Sequence, residues 1–273
     1  MKKKHPIWRF MPYLLLTAGA LIVLFPFIWM VSTSLKPPAD IYSLSIIPEN
    51  PTLENYTRIF TDTMFGRWMI NSIVIAVITT ISVCFFDTLV GYILAKFKFI
   101  GKTLIFVAIL STLMVPTEML IIPWYLMSAE LGWTDSYWGL LFPGLMTGFG
   151  VFLMKQFLES IPDDLLHAAR VDGMGELGIF FKVAVPQVWP AISALFIFSF
   201  LSNWNAFLWP LIVAQSQEVF TLPVGLAYFA SGEFESRWEL IMAGATITAI
   251  PLILVFLLLQ RHIIKGIVLT GMK

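Results

Sequence analysis

Six apolar segments, each about twenty residues long or longer, constrain this chain more than any other feature of its sequence. They cover residues 12–32, 70–95, 104–126, 137–157, 188–209 and 240–260. About 20 apolar residues in a helix span the roughly 30 Å hydrocarbon core of a bilayer. Helices are the expected form, because lipid offers no partners for backbone polar groups and the period-2 alternation of a barrel is missing. The sequence therefore predicts an all-α membrane protein with six transmembrane helices.

The composition indicates the same class and predicts neither metal nor cofactor. Charged residues make up 12% of the chain, against roughly a quarter in a soluble domain. Cys84, the only cysteine, lies in the second segment, which excludes a disulfide framework or a cysteine metal site. Gly101-Lys102-Thr103 is similar to the end of a phosphate-binding loop, but Lys96 stands where that motif needs glycine. Any ATP would be handled by another chain.

The distribution of basic residues predicts the orientation. With the N-terminus inside, thirteen Lys and Arg fall on the cytoplasmic side, and four fall outside: Lys36, Arg58, Arg67 and Arg237. By the positive-inside rule both termini are cytoplasmic. Because the membrane sorts these charges and they form no patch, the zero net charge does not point to nucleic acid.

This topology divides the chain into three parts. Residues 1–69 hold a tail, a first span too long for a secretory signal, and an outer segment that we interpret as a proline-rich loop. Residues 70–261 form the transmembrane domain. Residues 262–273 form a cytoplasmic tail.

A polar, glycine-punctuated stretch at residues 167–190 separates two of the apolar segments. Ser160 followed by Asp163 resembles a capping box and Pro162 suits a first helical turn, so the sequence DDLLHAARVD is predicted to be a short helix. Gly173 is expected to end it in the left-handed conformation. A second short helix is predicted over roughly Glu176–Lys182.

This stretch has the properties of a contact for another protein. Ala168 and Ala169 present almost no side chain, so a partner backbone can approach, while Arg170 and Asp172 offer charges that fix the register. A pore needs no such element, whereas a membrane protein moved by a partner outside the membrane does. The alternative is an amphipathic helix on the membrane surface, against which the two acids at its start argue.

The stretch contains two alanines, an Asp-Gly pair and, after nine more residues, Val183-Ala184-Val185-Pro186. In this pattern it resembles the EAA loop of binding-protein-dependent ABC importers. The resemblance implies a coupling helix that docks in a cleft of the ATPase subunit through His167, Ala168, Ala169, Arg170, Asp172 and Gly173. His167 stands where the family usually has Glu, so an ion pair made by that Glu is not expected here.

Four further motifs resemble the carbohydrate-uptake branch of this family, namely LVGYILAKFKFIGK, MVPTEMLIIPWYLM, NWNAFLWPLIVA and IIKGIVLTGMK. They are similar to the shorter, six-span permease of the maltose and glycerol-phosphate systems. This implies a type I ABC importer fold in a bacterial or archaeal cytoplasmic membrane. The implied partners are a second permease, two ATPase copies and an extracytoplasmic sugar-binding protein. The implied substrate is a di- or oligosaccharide, with a sugar phosphate or polyol left open.

Polar residues in the fifth apolar segment are candidates for a sugar pathway. They are Ser199, Ser202, Asn203, Trp204 and Asn205. Polar groups at membrane depth are costly and often functional, and a sugar path needs amides and an aromatic face. Hydrogen bonding between helices explains them equally well. A GxxxG pair, Gly144 and Gly148, predicts a close helix approach in the fourth segment.

Two acids and an aromatic group complete the candidates. Asp87 is expected to act as a pair or cap inside the bundle, and Glu118 to take a structural role after the helix-breaking Pro116. An aromatic belt is predicted from Trp124, Tyr125, Trp133 and Trp138. An ion-coupled secondary transporter would need more midplane ionisable groups and a repeat. An intramembrane hydrolase lacks its motifs.

Overall fold

The computed structural model describes residues 6–231 and 237–270, with side chains for residues 10–231, 237–258 and 260. Lys2, Lys3, Lys4 and Lys273, which contribute to the predicted orientation, lie outside the described residues. The helices are α1 (Pro6–Ser34), α2 (Glu54–Thr61), α3 (Phe65–Lys96), α4 (Lys102–Thr112), α5 (Ile121–Glu130), α6 (Tyr137–Leu141), α7 (Gly148–Glu159), α8 (Asp163–Val171), α9 (Glu176–Ile179), α10 (Val185–Gln187), α11 (Trp189–Trp204), α12 (Leu208–Val213), α13 (Leu222–Ser231) and α14 (Trp238–Thr270). Short 3₁₀ turns at Pro38–Asp40, Thr117–Leu120 and Phe142–Gly144 and a π-helical segment at Phe180–Ala184 connect them.

Three of the predicted spans are single helices, and the others are bent. Phe10–Ser34, Phe65–Lys96 and Trp238–Leu258 are each long and apolar enough to cross a membrane. Three further pairs qualify together: α4 with Thr117–Glu130, bent by 94°, Tyr137–Gly144 with α7, bent by 44°, and Glu176–Gln187 with α11, bent by 81°. Six spans result when each bent pair counts as one. The third, fourth and fifth predicted segments are therefore each built from more than one helix.

Proline explains the sharpest break. Pro116 lacks an N–H and disfavours the helical conformation of the residue before it, so α4 ends at Thr112 and the chain turns before α5. Glu118 lies exposed in the 3₁₀ turn at this bend. The predicted fifth segment, 188–209, is also interrupted, because α11 ends at Trp204 and α12 begins only at Leu208.

The chain forms two compact units, residues 1–66 with 225–250 and residues 67–224 with 251–273. In the first unit the outer segment is ordered around Lys36, a correction to its interpretation as a plain loop. The Lys36 side chain is buried, its Nζ donates to the Ser43 carbonyl at 2.7 Å, and it lies 4.9 Å from the Trp29 ring centroid. Asn55 donates to the carbonyls of Ser34 and Lys36, both at 2.8 Å. These bonds hold α2 against the end of α1.

In the second unit, the break in the fourth span is organised by a buried carboxylate. Asp87 accepts hydrogen bonds from the Thr147 backbone N–H, at 3.1 and 3.2 Å, and from its hydroxyl, at 2.7 Å. The Thr147 hydroxyl in turn accepts from the Gly150 N–H at 2.9 Å. Thr147 is the N-cap of α7, where partial positive charge favours an anion. Asp87 therefore bonds to the N-cap residue of α7 inside the bundle, in agreement with the expected role as a pair or cap.

The close helix approach predicted for the GxxxG pair is present, but at two separate places. Gly144 ends a 3₁₀ turn and Gly148 begins α7, so the two glycines do not line one helical face. A Cβ on Gly144 would lie 3.1 Å from Asn203 Oδ1, and a Cβ on Gly148 would lie 2.8 Å from Thr112 Oγ1. Each glycine permits the close approach of a different helix.

The predicted aromatic belt is only partly one. The Trp124 ring packs 5.7 Å from Trp209, and the Trp133 ring packs 5.9 Å from Phe142, measured between centroids. Both rings are thus members of a half-buried aromatic cluster. Trp138 is exposed, as a residue of a membrane-interface belt would be.

Candidate functional site

The polar stretch after α7 folds as predicted into a short helix, α8, but the expected capping box is absent. The N-cap of α8 is Pro162, which has no side-chain cap, and the Ser160 hydroxyl donates backwards to the Phe157 carbonyl at 2.7 Å. The Asp163 carboxylate takes a bond from another helix instead. The start of α8 is therefore fixed by tertiary contacts and not by its local sequence.

Lys96, the last residue of α3, makes those contacts. Its Nζ donates to the Ile161 carbonyl at 2.5 Å and to Asp163 Oδ1 at 2.8 Å. The hydrogen bond and charge of Lys96 hold the pKa of Asp163 below its usual value. The C-terminal end of α3 thus anchors the first turn of α8.

Gly173 ends α8 in the conformation predicted for it. Its φ is +82°, in the left-handed region. The Gly173 N–H donates to the Arg170 carbonyl and the Met174 N–H to the Ala169 carbonyl, both at 3.0 Å. These two bonds form a Schellman motif, which satisfies carbonyls that the helix end would leave unpaired.

The second helix of the stretch is longer than expected. It begins at Glu176, as predicted, but continues beyond Lys182 through the π-helical segment and α10 to Gln187. The π-helical segment turns two aromatic rings towards α3: Phe180 lies 5.3 Å from Tyr92, and Phe181 stacks on Phe85 at 6.4 Å. This second helix is thus packed along the C-terminal half of α3.

One face of α8 is part of the protein core. Leu166 and Ala169 are buried in a cluster with residues of α3, α7 and α11, among them Tyr92, Met154 and Leu195. Ala169 is only 8% exposed, so the expectation that both alanines are open to a partner holds for Ala168 alone. Because the core of the spans includes α8, displacing α8 must displace the spans.

The opposite face of α8 is open. His167, Ala168, Asp172 and Gly173 are exposed. Val171 and Leu177 are 87% and 71% exposed, and the sequence analysis missed both. The sequence could have identified Val171, because Ala168 and Val171 are three residues apart and so share one face of the helix. The exposed surface is therefore partly apolar.

Arg170 was expected to offer its charge to a partner, but it pairs within the chain. Its Nε donates to Glu176 Oε1 at 2.7 Å and its Nη2 to Glu176 Oε2 at 3.3 Å. This pairing raises the pKa of Arg170 and lowers the pKa of Glu176. His167 Nδ1 lies 3.4 Å from Arg170 Nη1. Asp172, at the end of α8, is exposed, and the described side chains supply no ion pair for its carboxylate.

Among the pathway candidates, Trp204 and Ser199 face the interior. Trp204 is 0% exposed and its ring stacks on Phe200 at 5.8 Å. It therefore offers no open aromatic face within this chain, contrary to expectation. Ser199 is also buried.

The other three candidates lie where α11 ends. Ser202 and Asn205 are exposed and Asn203 is half-buried. Asn203 Nδ2 donates to the Ser199 carbonyl and Asn205 Nδ2 to the Leu201 carbonyl, each at 2.8 Å. The amide nitrogens thus bond to the helix itself, while both amides keep an oxygen acceptor. These residues can meet hydroxyl groups at a break in a span.

The structure therefore combines apolar helices able to cross a membrane with a two-helix loop packed into their core. Among the described side chains, no group of three His, Cys, Asp or Glu residues is placed to hold a metal ion. This arrangement is that of a multi-pass membrane protein with a loop packed against its spans. Residues 87–268 match the family described as binding-protein-dependent transport system inner membrane component. The chain belongs to this family.

Relatives and solved structures agree with this membership. The chain is 36% identical over 259 residues to the arabinooligosaccharides transport system permease protein AraQ of Bacillus subtilis, covering 93% of this chain and 92% of the relative. It is 32% identical over 265 residues to the sn-glycerol-3-phosphate transport system permease protein UgpE of Pectobacterium atrosepticum, covering 94% of each.

A chain from the crystal structure of a bacterial ABC transporter involved in the import of the acidic polysaccharide alginate superposes with a TM-score of 0.86 at 25% identity. The match covers 96% of this chain and 99% of that one. The type I ABC importer permease fold predicted from the sequence is confirmed.

Proposed function

We propose that this chain is the shorter permease subunit of an ATP-driven sugar importer, forming half of the translocation pathway. The observation that carries the proposal is the loop of residues 160–186, which is open on one face and part of the span core on the other. A partner that moves this loop moves α3, α7 and α11 with it. Family membership supports the same role.

The proposed substrate is a di- or oligosaccharide. The relative from Bacillus subtilis is named for arabinooligosaccharides and the structural neighbour for a polysaccharide. The relative from Pectobacterium atrosepticum is named for sn-glycerol-3-phosphate, so a sugar phosphate is the competing outcome. Ser202, Asn203 and Asn205 are the proposed pathway residues, because their amide and hydroxyl groups lie at the break after α11.

The proposed partners are a second permease, two copies of a cytoplasmic ATPase and an extracytoplasmic sugar-binding protein. An ATPase is needed because the sequence carries no nucleotide-binding motif. His167, Ala168, Asp172 and Gly173 form the proposed docking surface. The proposed location of this loop and both termini is the cytoplasm, and the excess of basic residues on that side supports it by the positive-inside rule.

The proposal is tested by reconstitution. The chain is co-expressed with a second permease and an ATPase from a sugar-import operon, purified, and placed in proteoliposomes with the binding protein. We expect uptake of an oligosaccharide that requires ATP inside the vesicles. The matched control omits ATP and imposes proton and sodium gradients instead. Gradient-driven uptake by this chain alone, or ATP hydrolysis by this chain alone, would contradict the proposal and favour an ion-coupled transporter or an enzyme.

A further inference from the structure

The corner between α8 and α9 is closed by a charge pair as well as by its backbone. Arg170 lies on one side of the Gly173 turn and Glu176 on the other, and two hydrogen bonds of 2.7 and 3.3 Å join the guanidinium to the carboxylate. A fork of two parallel bonds restricts geometry more than a single contact does. The pair therefore holds the two helices at one angle.

Glu176 is also tied to a span. The Tyr92 hydroxyl, near the inner end of α3, donates to Glu176 Oε2 at 3.5 Å. On the same side, the Phe180 ring packs against Tyr92. Met174, inside the turn, lies so close to Gly178 that a Cβ there would sit 2.8 Å from Met174 Cγ. The corner is therefore packed against α3 and against itself.

We propose that Arg170 is a positioning residue, which through Glu176 sets the angle of the loop corner, and that it is not a contact for the ATPase. The inference rests on the proposed function, because it assigns a role within the same docking loop. Besides the direct packing of α8 on the core, a closed corner gives the movement of α8 a second route to α11, which a corner that could flex would lose. With the corner closed, displacement of α8 passes through α9 and the π-helical segment to the span.

The pairing of Arg170 also decides what the docking surface offers. With Arg170 bonded to Glu176, and Lys96 held by Asp163 at 2.8 Å, the open face of α8 presents the apolar Ala168 and Val171, the acidic Asp172 and the His167 ring. The surface that fits it is an apolar cleft with a basic residue at its edge. A partner acid that approached the same edge of the Arg170 guanidinium would find its Nε and Nη2 already bonded to Glu176.

The test is a charge swap in the complete transporter. Arg170→Glu and Glu176→Arg each place like charges at the corner, and we expect each to lower ATP-dependent uptake about tenfold or more while ATPase co-purification continues. The double variant, Arg170→Glu with Glu176→Arg, restores the pair with its ends exchanged. We expect its uptake to return to within about threefold of the original chain. The ratio of sugar transported to ATP hydrolysed should fall in the single variants and recover in the double.

Matched variants separate positioning from surface charge. Lys182→Glu reverses an exposed charge in the same segment and should leave the transport ratio unchanged. Arg170→Lys keeps the charge without the fork and should give an intermediate ratio. If the double variant fails to insert, Arg170→Gln and Glu176→Gln are compared, and equal losses support the internal pair.

A contact role for Arg170 predicts different results. Arg170→Glu would then abolish ATPase co-purification, Glu176→Gln would be silent, and the swap would not rescue transport. Any of these results overturns the inference. A wild-type chain that never binds an ATPase would instead overturn the proposed function, so the two failures are distinguishable.

Discussion

Replacement of Gly173 by Asp separates the docking function of the loop from its backbone requirements. Gly173 has a φ of +82°, and a Cβ built on it meets nothing within 4 Å. Within this chain the side chain meets no steric obstacle, and the left-handed backbone costs roughly 1–2 kcal/mol, with a smaller electrostatic cost from Asp172 and the negative end of α8. That is a factor of about 5 to 30 in the population of the turn, so the membrane-embedded part should still insert and fold.

Gly101 provides a matched control in the same protein. It has a φ of +85°, a Cβ there also meets nothing within 4 Å, and it lies in the predicted cytoplasmic turn before α4. Gly101→Asp adds the same charge at the same backbone cost, but away from the docking surface. We expect Gly173→Asp to abolish sugar uptake and weaken ATPase association, and Gly101→Asp to preserve both.

The assay measures three quantities for each variant: the amount of chain in the membrane, ATPase co-purification, and ATP-dependent uptake in proteoliposomes. Normal transport with Gly173→Asp would show that this loop is not the docking element. Equal losses with both variants would show that backbone strain or added charge, and not obstruction of a docked partner, limits transport. Only a selective loss at Gly173 supports the reasoning.

Three further predictions follow from the described contacts. His167→Glu, which restores the usual family residue, should keep uptake and ATPase co-purification near those of the original chain, since His167 is exposed; a loss of both would show that the partner has adapted to histidine. A cysteine at exposed Leu177 should resist an impermeant thiol reagent in intact cells and react in inverted vesicles, and the opposite pattern would refute the orientation. Asp87→Asn keeps an acceptor for Thr147 but removes the charge at the start of α7. It should therefore lower the free energy of unfolding by about 0.5–2 kcal/mol and leave ATP-driven uptake measurable. Complete loss of transport with unchanged stability would instead favour proton coupling.

The sequence predicted the parts of the fold that depend on local chemistry. Apolar segment lengths placed the spans, Gly173 placed the end of α8, and the depth of Asp87 in its span indicated a cap. Each of these inferences needs only the residue type and its position along the chain. The bend after Pro116 was foreseen as a broken helix for the same reason.

The errors share a different cause, which is dependence on residues distant in sequence. Ser160 looked like a helix cap. The bond at the start of α8 is instead made to Asp163 by Lys96, which precedes it by 67 residues. Trp204 looked available for a sugar, but neighbouring rings bury it. Arg170 looked like a docking charge, and only the turn at Gly173 brings Glu176 within reach of it. Burial and pairing are set by tertiary packing, which periodicity does not reveal.

The shared core of loop and spans has a consequence for assembly. A nine-residue helix such as α8 is marginal by itself in water, and Leu166 and Ala169 bury their side chains against residues of α3, α7 and α11. The proposed docking surface for the ATPase thus forms only once those helices have assembled. A chain that has inserted incorrectly would present no such surface, so under this proposal ATPase binding also reports that the membrane part has folded.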